Sequence, residues 1–188
     1  MYSGDSFLKD FIRYQFEIAK RWKDRSEITT DKFAKCFFSF SGFNALYFLW
    51  GVIDKKSHEP EYKIIEYFLC KFDSIRAEKI LQALSKEIRY FIKREPIQSM
   101  KKRNPYNFNE GDPKYGRKWK EMLDKKNNSV DRLVALGEII YMIRSNLVHG
   151  SKTQCGDDEK VIDNSIHPLE ALLIESISMT KKKYPWLE

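Results

Sequence analysis

The segment FAKCFFSFSGFNALYFLWGVI, residues 33–53, constrains the fold more than any other part of the chain because it is apolar on nearly all sides. A helix without a polar face is buried in a large core or in a membrane. Its longest clean apolar run, FNALYFLWGVI, falls well short of the ~18 residues that a membrane span needs. We therefore predict that this segment is the central helix of a protein core, opened by Thr29 to Asp31.

The remaining sequence predicts further helices and no strands. Apolar residues recur with helical spacing in several segments, and strand-like alternation is absent. The predicted helices are Asp5 to about Lys23, capped by Asp5 or Ser6 and with Phe7, Leu8, Phe11, Ile12, Phe16 and Ile18 on its apolar face; EYKIIEYFLCKF after the breaker His58 to Pro60; SIRAEKILQALSKEIRYFIKR before Pro96; VDRLVALGEIIYMIRSNLVH after Ser129; and, following the polar loop SKTQCGDDEK, HPLEALLIESISMTKKK. The fold class is thus all-α, an up-and-down helical bundle of about five to six helices in one domain, residues 1–188.

A basic insertion interrupts this pattern between about residues 96 and 128. The chain has a net charge of +7, and the stretch from Lys93 to Lys126 carries eleven Lys or Arg against five Asp or Glu. Basic and aromatic side chains alternate there, as in surfaces that contact phosphates and stack on bases. The candidate RNA-binding residues are Lys101, Lys102, Arg103, Tyr106, Arg117, Lys118 and Trp119. A solvated loop whose aromatic residues pack on the bundle is an equally good interpretation.

The cysteines and the N-terminus indicate a cytoplasmic protein. Cys36, Cys70 and Cys155 are far apart and form no Cys-x-x-Cys pair, so we expect reduced thiols and no metal site. The sequence MYSGDSFLKD lacks the basic start and apolar run of a secretory signal. We expect no cofactor and no membrane association.

The helix after Ser129 has an unusually wide apolar surface. On a helical wheel, its core stripe consists of Leu133, Leu136, Ile140, Ile143 and Leu147. The apolar or small residues that extend this stripe are Val130, Val134, Gly137, Tyr141 and Val148. A single bundle core rarely needs so wide an arc, which suggests that the extension forms the interface of a homodimer.

Arg144 occupies that apolar arc, about 40° from Ile140 on the wheel. A guanidinium removed from water needs a compensating charge, which an acidic residue on a neighbouring helix or a bound phosphate would provide. His149 lies about 140° further round, so the two side chains converge only at the helix end or across a dimer. Ser145 and Asn146 lie on the side of His149, where either could orient its ring or bind a phosphate oxygen.

The segment RSNLVHG, residues 144–150, resembles the signature of the HEPN superfamily, in which four to six residues separate an arginine and a histidine at the end of a long helix. The aromatic-rich FFSFSGFNALYFLW is also similar to the corresponding helix of HEPN domains, particularly Apea-like ones. The similarity in layout spans most of the chain, and the arginine-to-histidine segment is its diagnostic part. Where some relatives have a tyrosine two residues after the histidine, this chain has Ser151.

This resemblance implies a HEPN-like fold and a metal-independent endoribonuclease that works as a homodimer. His149 would be the general acid or base, and Arg144 would hold the scissile phosphate. Many members of the superfamily are toxins or antiviral effectors, which implies an antitoxin or another defence protein as a partner.

Two other interpretations remain open at the level of sequence. A non-catalytic HEPN module would bind nucleic acid, nucleotide or a partner protein without cleavage. A purely structural helical protein would pair Arg144 internally with an acidic residue. Among secondary candidates, Asn44 is predicted to be a hydrogen-bonded core amide in preference to a residue of the catalytic cleft. His58 and His167, each near a proline, are predicted to lie at helix boundaries.

Overall fold

The protein is a helical bundle, described here from a computed structural model. The structure describes residues 4–93, 120, 123–148 and 156–187, and within them it contains seven long helices and no strand. The helices are α1 (Gly4–Ile28), α2 (Lys32–Ile53), α3 (Glu61–Leu69), α4 (Ser74–Ala83), α5 (Ser85–Lys93), α6 (Ser129–Val148) and α7 (Gly156–Lys183). The prediction of an all-α bundle is therefore confirmed. The candidate RNA-binding residues lie outside the described part of the chain: Lys101, Lys102, Arg103, Tyr106, Arg117, Lys118 and Trp119.

Helix α2 is the central helix, as its apolar sequence predicts. It packs mainly against α1 and α7 and also contacts α3. Asp31 caps its N-terminus by accepting a hydrogen bond from the Ala34 backbone N–H at 2.6 Å. At the other end, Trp50 Nε1 donates to Thr180 Oγ1 of α7 at 3.1 Å in a buried contact. By length and composition α2 is the one described helix that would suit a membrane span, but most of it is buried inside the bundle.

Most of the wide apolar arc of α6 is buried within the helical bundle. Leu133, Leu136 and Ile143 are buried, as predicted, and α6 packs against α3, α4 and α7. Val134 and Gly137, assigned from the wheel to a subunit contact, are buried in the bundle itself. The wheel prediction was wrong for these two residues because α3, α4 and α7 of the same chain pack on α6, with Gly137 against Leu69 of α3. Val148 is the residue of the predicted extension that is exposed.

The segment predicted as one helix before Pro96 is divided into α4 and α5, which raises the helix count above the predicted five to six. Leu84 separates the two helices with φ −94° and ψ 19°, while its N–H still bonds to Ile80 at 3.0 Å. Helix α4 packs on α6, whereas α5 contacts α7. The change of direction at Leu84 thus lets one apolar stripe serve two packing partners.

Helix α7 begins earlier than predicted. Gly156 to Lys160, expected in a polar loop, are helical, and Pro168 lies inside the helix. Consequently His167 is not at a helix boundary. Val161, Ile162 and Ile166 are buried, and this apolar face stabilises the turns before the proline.

Helix α1 is already formed at Gly4. Asp5 and Ser6, one of which was predicted to cap the helix, therefore lie within it. It also continues to Ile28, beyond the predicted end at Lys23. Of its predicted apolar face, Ile12 and Phe16 are buried and Ile18 is partly buried. Phe7, by contrast, has an exposed fraction of 72%, and Leu8 is also exposed.

Candidate functional site

Arg144 lies in the last part of α6, where the side chain reaches the N-terminus of α3. Its Nη1 atom is 3.6 Å from Oε2 of Glu61, the first residue of α3. The side chain of Arg144 is 26% exposed, so the guanidinium is partly removed from water. The acidic partner on a neighbouring helix, expected from the position of Arg144 in the apolar arc, is therefore Glu61.

The carboxylate of Glu61 connects α3 to the central helix. Its Oε1 atom accepts a hydrogen bond from Asn44 Nδ2 at 3.2 Å and a short one from the Tyr47 hydroxyl. We refer to Asn44, Tyr47, Glu61 and Arg144 as the Glu61 cluster. The prediction that Asn44 is a hydrogen-bonded amide is confirmed, but the same hydrogen bond also places it beside the candidate arginine.

The hydroxyl of Tyr47 donates to Glu61 in an almost fully buried environment. Burial raises the pKa of Tyr47 far above its ordinary value, and the negative charge of Glu61 raises it further. The hydroxyl therefore stays protonated and serves as a fixed donor to Glu61. One oxygen of Glu61 is committed to Tyr47 and Asn44, while the other faces Arg144.

An aromatic ring supports the guanidinium on its other side. The Cζ atom of Arg144 lies 4.9 Å from the ring centroid of Phe40, a distance at which the ring attracts a cation. The Nε atom of Arg144 is buried and has no hydrogen-bond partner among the described residues. Phe40 and Glu61 thus position the guanidinium without a direct hydrogen bond to it.

The supporting residues predicted next to Arg144 occupy different environments. Ser145 is partly exposed, whereas Asn146 is buried. The buried position of Asn146 directs it into the bundle. His149 lies outside the described residues, so its predicted roles and its relation to Ser145 stay predictions.

Sequence reasoning did not identify Glu61, Tyr47 or Phe40 as neighbours of Arg144. Glu61 follows Pro60 and is the first residue of a helix, where an acidic residue is favoured by the helix dipole alone. Tyr47 and Phe40 belong to an aromatic-rich core helix in which they have no distinguishing pattern. A search for the partner of Arg144 among the acidic residues at predicted helix ends would have included Glu61 as a candidate.

The other candidate residues lie away from the Glu61 cluster. Nδ1 of His167 is 3.1 Å from Oε1 of the buried Glu87. His58, on the loop before α3, is largely exposed and lies 3.6 Å from Glu59. Within the described ranges, no group of three or more His, Cys, Asp or Glu residues could hold a metal ion.

Cys36 is buried and Cys70 exposed, both as free thiols, while Cys155 is outside the described residues.

In comparisons with known proteins, the chain matches no family model, no curated protein and no solved structure.

Proposed function

We propose that the protein is a metal-independent endoribonuclease of the HEPN type, acting as a homodimer and serving as a toxin or antiviral effector. The observation that carries the proposal is the position of Arg144, a partly exposed guanidinium that Glu61 and Phe40 hold near the end of α6. His149 follows directly after Val148, the last residue of that helix. The resemblance of residues 144–150 to the HEPN signature assigns both residues to one reaction.

The reaction requires a base, an acid and a group that stabilises negative charge. One His149 removes the proton from a ribose 2′-hydroxyl, whose oxygen then attacks the adjacent phosphorus. The bond from phosphorus to the 5′-oxygen breaks, and a second His149 protonates that oxygen as it leaves. Arg144 stabilises the charge that develops on the phosphoryl oxygens. The products are a 2′,3′-cyclic phosphate and a 5′-hydroxyl.

The Arg144–Glu61 pair also favours a purely structural role for Arg144, which is the main alternative. In that role Glu61 would neutralise the guanidinium and no substrate would be needed. The geometry argues against full neutralisation. Charge-assisted hydrogen bonds between arginine and carboxylate are typically about 2.7–2.9 Å long and frequently bidentate. The closest described approach of Arg144 to Glu61 is 3.6 Å, so N–H donors of the arginine are left for a phosphate.

The test is cleavage of single-stranded RNA by the purified protein in EDTA, with analysis of the product ends. We expect cleavage with 2′,3′-cyclic phosphate ends, and we expect both His149→Ala and Arg144→Ala to abolish it. His58→Ala is the matched control because this histidine is 73% exposed and lies outside the Glu61 cluster. Undiminished cleavage by folded His149→Ala would rule out the assigned mechanism.

A binding assay separates the remaining interpretations. A non-catalytic HEPN module would bind RNA without cutting it, and that binding would weaken steeply with salt if it depends on phosphate contacts. A structural protein would neither bind nor cut RNA. In that case Arg144→Ala would change the free energy of unfolding alone.

A further inference from the structure

Among the residues that the structure describes, Arg132 is the most deeply buried cationic side chain. It lies near the start of α6 and is 9% exposed, with Nη1 3.6 Å from Oε2 of Glu78 on α4. The side chain of Glu78 is itself 44% exposed. The Nε atom of Arg132 is buried and has no hydrogen-bond partner in the described parts of the chain. A single, distant and hydrated carboxylate compensates a buried guanidinium poorly.

Arg132 lines a cavity of about 510 Å³ between α4, α5 and α6. Sites for small molecules typically have volumes of about 300–1,000 Å³ and combine apolar walls with a few polar groups. This cavity has both kinds of wall. Its apolar lining residues are Leu81, Ile88, Ile92 and Leu123.

The polar side of the cavity has an excess of positive charge. Among the described residues, Arg132, Arg89 and Lys125 line it together with one carboxylate, Glu78. Glu78 also accepts a hydrogen bond from Gln82 Nε2 at 3.1 Å, so part of its charge is engaged within α4. A phosphate monoester carries a charge of about −1.5 to −2 at neutral pH, which matches this excess. An internal RNA phosphodiester carries a single negative charge and matches it less well.

The amphipathic lining favours a ligand with a phosphate at one end and a flat, weakly polar body at the other. Gln82 and Ser85 also line the cavity, and their side chains are suited to hydrogen bonds with sugar hydroxyls. We propose that this cavity is a binding site for a nucleoside monophosphate. Arg132 and Arg89 bind the phosphate there, and the apolar wall contacts the base. The proposal does not depend on ribonuclease activity.

The test is titration calorimetry of the full chain with AMP and UMP, using adenosine and inorganic phosphate as comparators. We expect one monophosphate to bind per chain. Each comparator should bind at least about tenfold more weakly, since each lacks one half of the contacts. Arg89→Gln is the main variant because Arg89 is on the exposed side of α5. We expect it to weaken binding about tenfold.

Lys86→Gln is the matched control, since it removes the same charge from the same helix at a position that does not line this cavity. The site would be refuted if neither monophosphate bound at millimolar concentration, or if Arg89→Gln and Lys86→Gln bound equally well. Equal competition by an RNA oligonucleotide with a 5′-hydroxyl would refute the preference for a monoester. Arg132→Gln, checked for folding, should also lose binding while cleavage in EDTA is unchanged.

Discussion

At the scale of single residues, Glu61 links the candidate arginine to the core. Its Oε1 atom accepts hydrogen bonds from Tyr47 and Asn44, and its Oε2 atom faces Arg144. Tyr47 is almost fully buried, so its hydroxyl has no access to water if the acceptor is lost. Such an unsatisfied buried donor costs about 1–3 kcal/mol.

Glu61→Ala is therefore expected to lower the free energy of unfolding by about 1–3 kcal/mol. Glu61→Gln retains an amide oxygen for Tyr47 and should cost less. Urea unfolding measures both effects. Glu66→Ala is the control on the same helix, because Glu66 makes a surface pair with Lys63 and exposed pairs contribute about 0–1 kcal/mol. Equal losses for Glu61→Ala and Glu66→Ala would contradict the linking role.

A second prediction at this scale concerns Cys36, which lies buried in α2. Burial raises the pKa of its thiol from 9.0 to about 12. Because the folded-state pKa is above the unfolded value, this thiol contributes its full stability below pH 9. The contribution is lost as the pH rises from 9 through 12. The raised pKa of Tyr47 has the same sign but takes effect from its ordinary value of 10.0 upward.

Between pH 9 and 10 we therefore expect Cys36 to reduce the free energy of unfolding by up to about 1 kcal/mol per pH unit. Urea unfolding at several pH values measures this slope. Cys36→Ala should make the slope shallower, whereas Cys70→Ala, which removes a more exposed thiol, should change it less. Identical slopes for the original chain and Cys36→Ala would contradict the effect of burial.

At the scale of helices, Gly137 determines how closely α6 approaches α3. A Cβ atom at this position would lie 2.3 Å from Cδ1 of Leu69 and 3.5 Å from Cγ2 of Ile65. The contact with Leu69 is too close for any residue larger than glycine unless the end of the Leu69 side chain moves, whereas the distance to Ile65 is an ordinary van der Waals contact. Since α3 carries Glu61 and α6 carries Arg144, the same crossing contributes to the separation of that pair.

Gly137→Ala is expected to destabilise the protein by about 1 kcal/mol, because overpacking costs about 1–3 kcal/mol and the gain in helix propensity offsets about 1 kcal/mol. Leu69→Ala alone should cost about 2–5 kcal/mol. In the double variant the two losses should be less than additive, since Leu69→Ala removes the clashing atoms. Urea unfolding of the four proteins measures this coupling, and strict additivity would contradict the proposed contact.

Helix boundaries were predictable where a local signal coincides with the packing. Asp31 caps α2, which begins at Lys32, and α6 begins at Ser129, in agreement with the local signals of the sequence. The break at Leu84 has no proline or glycine to mark it, because it reflects a change of packing partner. Pro168 gave a misleading signal, since a proline is favoured in the first turn of a helix but here lies inside α7.

At the scale of the whole molecule, the proposed active site requires two copies of the chain. The interior of the bundle accounts for much of the apolar arc that suggested a dimer, so the case for association rests on the ribonuclease proposal and on the exposed end of α6 at Val148. Two copies in one cleft provide two histidines, one for each proton transfer. A single copy provides one.

We expect light scattering to return a dimer at micromolar concentration. Because the proposed site uses one His149 from each subunit, mixed dimers of the original chain and His149→Ala should not cleave RNA. An excess of His149→Ala should therefore reduce cleavage by the original chain in EDTA. An equal excess of His58→Ala, which keeps both Arg144 and His149, should not reduce it. A monomer in light scattering would eliminate the shared site.

An all-helical bundle with α2 at its centre could be predicted from the amino-acid sequence, because apolar periodicity and capping residues are local properties. The sequence also indicated that Arg144 needs a compensating partner, because its place on the wheel follows from position alone. The identity of that partner, Glu61, follows from the packing of the helices, because Glu61 and Arg144 are 83 positions apart in the sequence and the α3–α6 crossing brings them to 3.6 Å. The same crossing buries Gly137 against α3. From the sequence alone, a contact of Gly137 within the bundle could not be distinguished from a contact with a second subunit.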